Sequence, residues 1–581
     1  MKKRIIFSTG FSAVCFAVSY AVICPYIKVM GDDGVVSVLH ISLKRYMLTA
    51  AITALSFLFF FFADKYFEIA SRIHNFLSKN IKRILLFSAG SACVILASAL
   101  VEVLFRNLHG ADSAGKYFNA ASFGTVASIG MLIFIFAFER KNIASRPEKA
   151  VALIILISGA LIIFTEPFSH NSSDEDSHYY WAVQNSFVKQ AHLTQADYCV
   201  SKTIDFSIAD GHNVSSSNEK IDNMNQRGEY ATYTVNVDNS IPHKPAGILI
   251  AVSRLFGANF RTRFICGQFG MLITYAALAY FAIKKLKSGK MIMSIIALFP
   301  TNLVLASNFS YDPWITGFTM LGTSYFVSEL QQPEKRITVF ETVVMCGAFV
   351  LAALPKQLYV MFLILPMFMR KNRQSKSDKR RYYLILSAFF VFMLVLFAIR
   401  AFSSVTSGGD TRGGDVNSMG QVNYILTNPI KYSKTLIKFL LGYLSPLNAK
   451  KYMSYFSYLG DGGSAAVFMS LLLFCMITDK DITNKFNGRI LTAAVVLAVD
   501  FALVCMTATA LYISFTPVGY ETINGCPGRY LLPLTVPFAL TLINPGKPLR
   551  VKKSIYNFAV LAVMSACVLF KILYVVTWPM L

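Results

Sequence analysis

The sequence predicts an all-α polytopic membrane protein of about 15 transmembrane helices, with a large external loop that holds small α/β elements. Three observations carry this. Of 581 residues, 55% are hydrophobic and 15% are charged, where a soluble domain carries about 25% charged. Mean hydropathy is +0.51. The apolar residues come in blocks of about 20, the length that crosses a hydrocarbon core roughly 30 Å thick. The same values exclude a disordered chain, a collagen-like chain and an ordinary soluble enzyme.

The first block follows Met1-Lys2-Lys3-Arg4 and runs to about Cys24. It is too long for a signal-peptide core and no small-residue cleavage site follows it, so it reads as a retained span. Further blocks lie at 46–63, 84–105, 121–138 and 149–165. After a long polar break they resume at 264–283, 291–306, 313–330, 337–353, 357–369, 382–402, 464–478, 490–513, 531–543 and 555–577.

Basic clusters follow every even-numbered block, from Arg72, Lys79, Lys82 and Arg83 after the second to Lys547, Arg550, Lys552 and Lys553 after the fourteenth. Cytoplasmic loops are enriched in Lys and Arg, which puts the N-terminus in the cytoplasm and the C-terminus outside. These clusters also account for the net charge of +24, so nucleic acid is not an expected partner and membrane lipid is. The stretch 430–447 is apolar but carries Lys431, Lys434 and Lys438 at helical spacing, and reads as an interfacial amphipathic helix.

Two modules follow from this layout: four leading spans over 1–148, and a main module over 149–581 with external loops 166–263 and 403–463. In the first loop, Tyr230 to Val237 alternates as a short strand or hairpin does. The second contains Ser407 to Asp415 (SGGDTRGGD), whose glycines suit a solvated linker better than a phosphate loop. Ten cysteines form no metal-ligand spacing. Cys199 and Cys526 alone fall in the outward loops, and a disulfide between them is allowed but not required.

Polar chemistry collects in three places. The first is Glu166 and then Asp174-Glu175-Asp176-Ser177-His178-Tyr179-Tyr180-Trp181. Crowded carboxylates raise one another's pKa or call for a cation, and one held at a cleft is a general base for a hydroxyl. In a helix, His178 would share a face with Asp174 and Glu175. A solvated acidic loop with an aromatic interfacial belt accounts for the same residues equally well. The second is Ser310-Tyr311-Asp312-Pro313-Trp314, where Asp312 suits a helix N-cap and Pro313 the first turn. The third is a set of outward cations: His243, Lys244, Lys356 and Arg529. They suit an isoprenoid phosphate, or lipid headgroups reached by snorkelling. One acid falls mid-span, Asp500, which reads as a hydrogen-bond partner for a neighbouring helix or as an intramembrane functional group. No P-loop, zinc-protease or nucleophile-elbow pattern stands out.

Several of these segments together resemble the bacterial predicted-membrane-protein family known as domain of unknown function 2142. Asp174-Glu175-Asp176-Ser177-His178-Tyr179 resembles its D-E-x-x-H-aromatic signature. Pro242-His243-Lys244-Pro245-Ala246-Gly247 resembles its Pro-rich helix lead-in. Leu298-Phe299-Pro300 through Ser310-Tyr311-Asp312, and Leu354-Pro355-Lys356, are similar to two further elements. Thr516-Pro517-Val518-Gly519 with Gly525-Cys526-Pro527-Gly528-Arg529-Tyr530-Leu531-Leu532-Pro533 resembles its closing motif. Asp176 and Pro527 depart from the residues often found there, Pro and Gln.

The resemblance implies a GT-C-like architecture and a glycosyltransferase of the bacterial cytoplasmic membrane. Such an enzyme takes a sugar from a polyprenyl-phosphate donor and gives it to a cell-surface glycan on the external face. It casts Asp174 as general base with Glu175 second and His178 orienting a carboxylate or binding the leaving phosphate. Asp312 positions the acceptor or a cation, and Lys356, Arg529 and Tyr530, with His243 and Lys244, hold the substrate. A divalent cation among Asp174, Glu175 and Asp312 is an open option. The rival readings are a transporter or flippase of lipid-linked sugars, and a glycan ligase or polymerase.

Overall fold

The computed structural model describes residues 2–30, 34–108, 120–143, 146–165, 172, 174–202, 230–369, 374–404, 414–448, 450–460, 465–479, 489–542 and 551–577. Glu166 and most of the glycine-rich stretch 407–415 lie outside them.

The chain is mostly helical. Four helices open it: α1 (Lys2–Ile23), α2 (Leu43–Phe67), α3 (Ile69–Leu108) and α4 (Ala120–Ile143). α5 (Pro147–Thr165) leads into a small α/β unit made of α6 (Glu175–Gln184), β3 (Gln190–Thr194), α7 (Gln195–Lys202) and β4 (Ala231–Asn236). α8 (Lys244–Leu255) returns the chain to α9 (Phe260–Lys285). Then come α10 (Lys290–Ala297), α11 (Pro300–Ala306), α12 (Asp312–Leu330), α13 (Val339–Ala353), α14 (Lys376–Ser404), α15 (Ser418–Thr427) and α16 (Pro429–Tyr443). The chain closes with α17 (Ala466–Thr478), α18 (Arg489–Phe515), α19 (Leu532–Thr541) and α20 (Lys553–Ile572).

Among the described residues, 9 helices are long and apolar enough to cross a membrane: α1 to α5, α9, α14, α18 and α20. The other six apolar blocks are short, interrupted or more polar. Pro300 splits the block 291–306 into α10 and α11, because proline supplies no N–H to continue the helix. The break is sealed by Asn302 Nδ2, which donates to the Ile296 carbonyl at 2.8 Å. α13, α17 and α19 span 15, 13 and 10 residues, and 357–367 is a 3₁₀ segment running into a short helix. α12 is 19 residues long, but Thr316, Thr319, Thr323, Ser324, Ser328 and Glu329 lower its hydropathy. All six pack against the main core, and broken backbone at membrane depth is tolerated where protein covers it.

Close packing replaces the hydrophobic effect between helices in lipid. A Cβ on Gly159 would meet Leu272 at 2.3 Å, one on Gly317 would meet Leu278 at 2.7 Å, and one on Gly322 would meet Phe349 at 2.8 Å. The main core runs through α5, α9 to α13, α17, α19 and α20. By contrast α2 and α3 bury few side chains, so their apolar faces meet lipid. α16 is the helix expected over 430–447. Its Lys431, Lys434 and Lys438 are exposed, and so are Ile430, Ile437 and Leu441.

Two strands follow α1, β1 (Lys28–Met30) and β2 (Val36–Val38). They join the α/β unit in one four-stranded sheet of order β2-β1-β4-β3. β1 runs antiparallel to β2 and parallel to β4 through Val29 and Ala231. β3 and β4 are antiparallel, with an irregularity at Leu193/Thr194. The strand expected near Tyr230–Val237 is therefore β4. A second core of Tyr179, Phe187, Leu193, Phe260, Phe264 and Phe309 pins this unit to the bundle. Cys199 and Cys526 form no disulfide.

Candidate functional site

The acidic run opens α6. Asp174 precedes the helix with φ 62°, in the left-handed region, which Asp and Asn tolerate better than most residues. Glu175 and Asp176 occupy the first turn, where negative charge suits the helix dipole. Glu175 and Asp174 then part company. Glu175 is buried and its Oε2 accepts the Ser172 N–H at 3.1 Å. Asp174 keeps 40% of its side chain exposed, with Oδ2 3.9 Å from Arg529 Nη2.

His178, one turn on, is buried against three rings. It meets Tyr311 edge-on at 4.6 Å and stacks on His243 at 5.1 Å, with Trp181 at 5.5 Å. Its Nδ1 lies 3.0 Å from His243 Nε2, and His243 Nδ1 lies 2.7 Å from Ser240 Oγ. Burial pushes His178 down to about 3, and the pull of Asp312 does not offset it. Burial and the His178 ring hold His243 well below its ordinary value as well. Both rings are neutral at pH 7, so the tautomer of one fixes the tautomer of the other along a Ser240–His243–His178 chain.

Beside His178 lies a buried charge cluster. Asp312 was expected at an N-cap. Instead Tyr311 is the cap and Asp312 the first helical residue, because its carboxylate is committed elsewhere. Lys356 Nζ donates to Oδ1 at 2.9 Å. Arg529 Nε stands 2.7 Å from Oδ2 as an ion pair. Burial alone would raise the Asp312 pKa, but Lys356 and Arg529 outweigh it and hold it at about 2. Burial would lower Lys356 and Arg529, and the Asp312 charge reverses both shifts upward.

Tyrosines frame the cations. Lys356 Nζ sits 3.5 Å from the Tyr530 ring centroid and 4.9 Å from Tyr311, within cation–π range. The Arg529–Tyr530 turn is tied down by Tyr359, which donates to the Tyr530 carbonyl at 3.1 Å. Tyr443 donates to the Pro527 carbonyl at 2.9 Å. Gly528 lets this turn press on the 450–453 helix, since a Cβ there would meet Lys451 Cβ and carbonyl oxygen at 2.7 Å.

Tertiary packing thus gathers Asp174, His178, His243, Asp312, Lys356, Arg529 and Tyr530. It does not gather Lys244, whose Nζ turns to Asn185 Oδ1 at 3.0 Å and Asn239 Oδ1 at 3.2 Å. Nor does it form the carboxylate group considered for a cation. No set of three His, Cys, Asp or Glu among the described residues could hold a metal ion, because Asp312 faces two cations and Glu175 faces backbone. Asp500 is 8% exposed and both its oxygens lack a hydrogen-bond partner, so the bond to a neighbouring helix does not form. Sequence reasoning missed Ser240, Tyr359 and Tyr443, and no spacing signal marks them.

A family profile described as "Predicted membrane protein (DUF2142)" matches residues 156–537, a span that contains every residue of this cluster. No curated protein matches the chain, and no solved structure does.

Proposed function

The chain belongs to the predicted-membrane-protein family called domain of unknown function 2142, and from that premise we propose that it is a GT-C-like glycosyltransferase. It moves a sugar from a polyprenyl-phosphate donor to a cell-surface glycan. The N-terminus lies in the cytoplasm of a bacterial cell and the site faces outward across the cytoplasmic membrane. The reading takes each of the six other apolar blocks as a crossing whose broken or polar backbone is covered by neighbouring helices, which with the nine long helices gives about 15 crossings.

One observation carries the proposal. Two cations are held beside a buried aspartate, with a second, half-exposed aspartate 3.9 Å from the arginine at the rim. On this reading the two cations form the floor that takes the donor phosphate, next to a carboxylate that is 40% exposed. Asp312, at about 2 and with both oxygens facing cations, is too weak a base to take a proton at neutral pH. Its role is to keep Lys356 and Arg529 in place. Asp174 is the base.

The step follows from these positions. An acceptor hydroxyl oxygen attacks the anomeric carbon, and its proton passes to Asp174. The bond from that carbon to the donor phosphate oxygen breaks, and the electron pair leaves on polyprenyl phosphate. Arg529 and Lys356 stabilise that growing charge. A single displacement inverts the anomeric centre. His178 is buried and neutral, and packs against Tyr311 rather than exchanging protons with bulk water.

The test compares cells carrying wild-type chain or Asp174→Asn at equal membrane abundance, by mass spectrometry of surface glycan and lipid-linked sugars. Loss of one sugar from the glycan with build-up of its lipid donor supports the reading. No change in either removes it. One observation favours a transporter or flippase instead: the unpartnered, buried Asp500 in α18. That reading predicts loss of transport in Asp500→Asn with Asp174→Asn unaffected. A glycan ligase or polymerase would use the same cluster with a larger donor.

A further inference from the structure

A cavity of about 390 Å³ lies between β1 and the β3–α7–β4 unit. α8 connects it to the charge cluster. His243 stands just before the helix at the cluster, and Arg254, 11 residues on, lines the cavity, about 16 Å along the axis. Tyr26 and Lys28 form one wall, from the segment that follows α1, and Arg254 and Arg263 form another.

The cavity's charges do not balance. Asp197 is fully engaged: it accepts from Tyr179 Oη at 2.6 Å and from Thr194 N and Oγ1 at 3.0 and 2.9 Å. Its remaining charge faces Arg263 at 3.8 Å. Arg254 has only neutral contacts at hydrogen-bond or ring distance. Its Nη2 donates to the Ser186 carbonyl at 2.7 Å and to Ser186 Oγ at 2.9 Å, and its guanidinium lies 3.9 Å over the Phe187 ring. Its Nε is buried without a partner. Burial first, and Arg263 second, depress Arg254 to about 9. Asp197 offsets only part of this, because its oxygens are already engaged. A half-buried guanidinium with no anion at hydrogen-bond distance is costly, and a bound anion removes that cost. Lys28 adds an exposed cation at the rim.

The guanidinium fork matches carboxylate and phosphate oxygens. The volume falls in the range of small-molecule sites. Tyr26 and Tyr230 line the cavity, and each offers an apolar ring face with a polar tip, which suits a sugar ring. We propose that this cavity binds the carboxylate or phosphate of an acidic sugar, with Arg254 as half-buried anchor and Lys28 and Tyr26 as the contribution of the N-terminal segment. That the bearer is a sugar rests on the transferase reading, where it is a unit of the acceptor glycan. The anion site rests on the cavity alone.

The test is calorimetric titration of the purified full-length protein in detergent micelles with glucuronate, glucose 6-phosphate, glucose and inorganic phosphate. At least one acidic sugar is expected to bind, with glucose about tenfold weaker or worse. Arg254→Gln and Lys28→Gln should each weaken the acid by about tenfold, the worth of one charged hydrogen bond. Asp174→Asn should leave its affinity unchanged. Lys28 is exposed, so its variant stays informative if Arg254→Gln unfolds, and melting temperatures identify that case. Equal binding of glucose, no binding of either acid, or unchanged affinity in well-folded Lys28→Gln and Arg254→Gln overturns the site. Inorganic phosphate binding as tightly as glucose 6-phosphate overturns the sugar. The two readings fail separately: acid binding with an unaltered surface glycan in Asp174→Asn keeps the cavity and removes the transferase.

Discussion

Lys356 and Asp312 stand 44 residues apart in the chain and 2.9 Å apart in space. Each opens the segment that carries it, a 3₁₀ turn and a helix; Asp312 is buried and Lys356 keeps 18% of its side chain exposed. The pair is the centre of the site because either charge alone would be unsupported. Removing one partner of a buried pair costs more than the pair contributes. Lys356→Met should lower unfolding stability by about 2 kcal/mol, less than for an isolated pair because Arg529 still faces Asp312. Lys356→Arg should not restore activity, since a planar fork cannot take the place of an ammonium seated on the Tyr530 ring. Thermal unfolding in micelles, with the Asp312→Asn/Lys356→Met double variant, measures the coupling. Additive losses would show that the two residues act apart.

Asp174 separates chemistry from stability. Asn shares its tolerance of the left-handed region, so Asp174→Asn should keep its melting temperature, within about 0.5 kcal/mol, while sugar transfer is lost. Asp174→Ala should lose transfer and also about 1 kcal/mol, the cost of placing alanine at φ 62°. Equal melting temperatures for the two variants would show that the backbone relaxes and stores no strain there.

The histidine pair sets a pH dependence. His178 falls from its ordinary value of 6.5 to about 3 in the folded chain. Between those values the unfolded chain holds a proton that the folded chain refuses, so stability rises with pH. It is lost by about 1.4 kcal/mol per unit as pH falls below 6.5, and is level above about 7. His243 is shifted the same way, so His178→Gln should roughly halve the slope of melting temperature against pH. An unchanged slope would place the proton elsewhere. Asp312 adds a lower window: its contribution is complete above its ordinary 3.8 and is lost as pH falls through about 2.

Gly528→Ala tests the turn that carries Arg529. The added methyl meets the Lys451 backbone and Cβ at 2.7 Å. Overpacking of this kind costs about 1–3 kcal/mol, and the turn that moves also carries the anion-binding guanidinium. The expected result is a lower melting temperature and a larger loss of transfer than the stability change explains. Wild-type activity in a stable Gly528→Ala protein would show that Arg529 does not depend on the turn.

Membrane character was legible in the sequence because apolar length is a local property. A run such as 490–513 announces its helix without reference to any neighbour, and the structure has α18 there. The strand near Tyr230–Val237 and the amphipathic helix at 430–447 were legible through period for the same reason. The six remaining blocks were not: the break at Pro300 and the short α17 and α19 are tolerated because other helices pack against them. The clusters were legible as residue types, since Asp174, Asp312, Lys356 and Arg529 each stand out as polar groups at the ends of apolar runs.

What each of those groups does was decided only by tertiary structure. Glu175 and Asp174 are adjacent in sequence, yet one is buried on a backbone amide and the other faces Arg529 at the rim. Lys244 and Lys356 look alike as loop cations, yet only one meets Asp312. The joining of β1 to β4 brings Lys28 to Arg254 across more than two hundred residues, beyond any local pattern. The sequence by itself determined which segments leave water and which charges remain near their ends, because burial follows from side-chain chemistry. The structure decided which charges pair, because a carboxylate's pKa and role depend on groups within a few ångströms, and those groups come from distant parts of the chain.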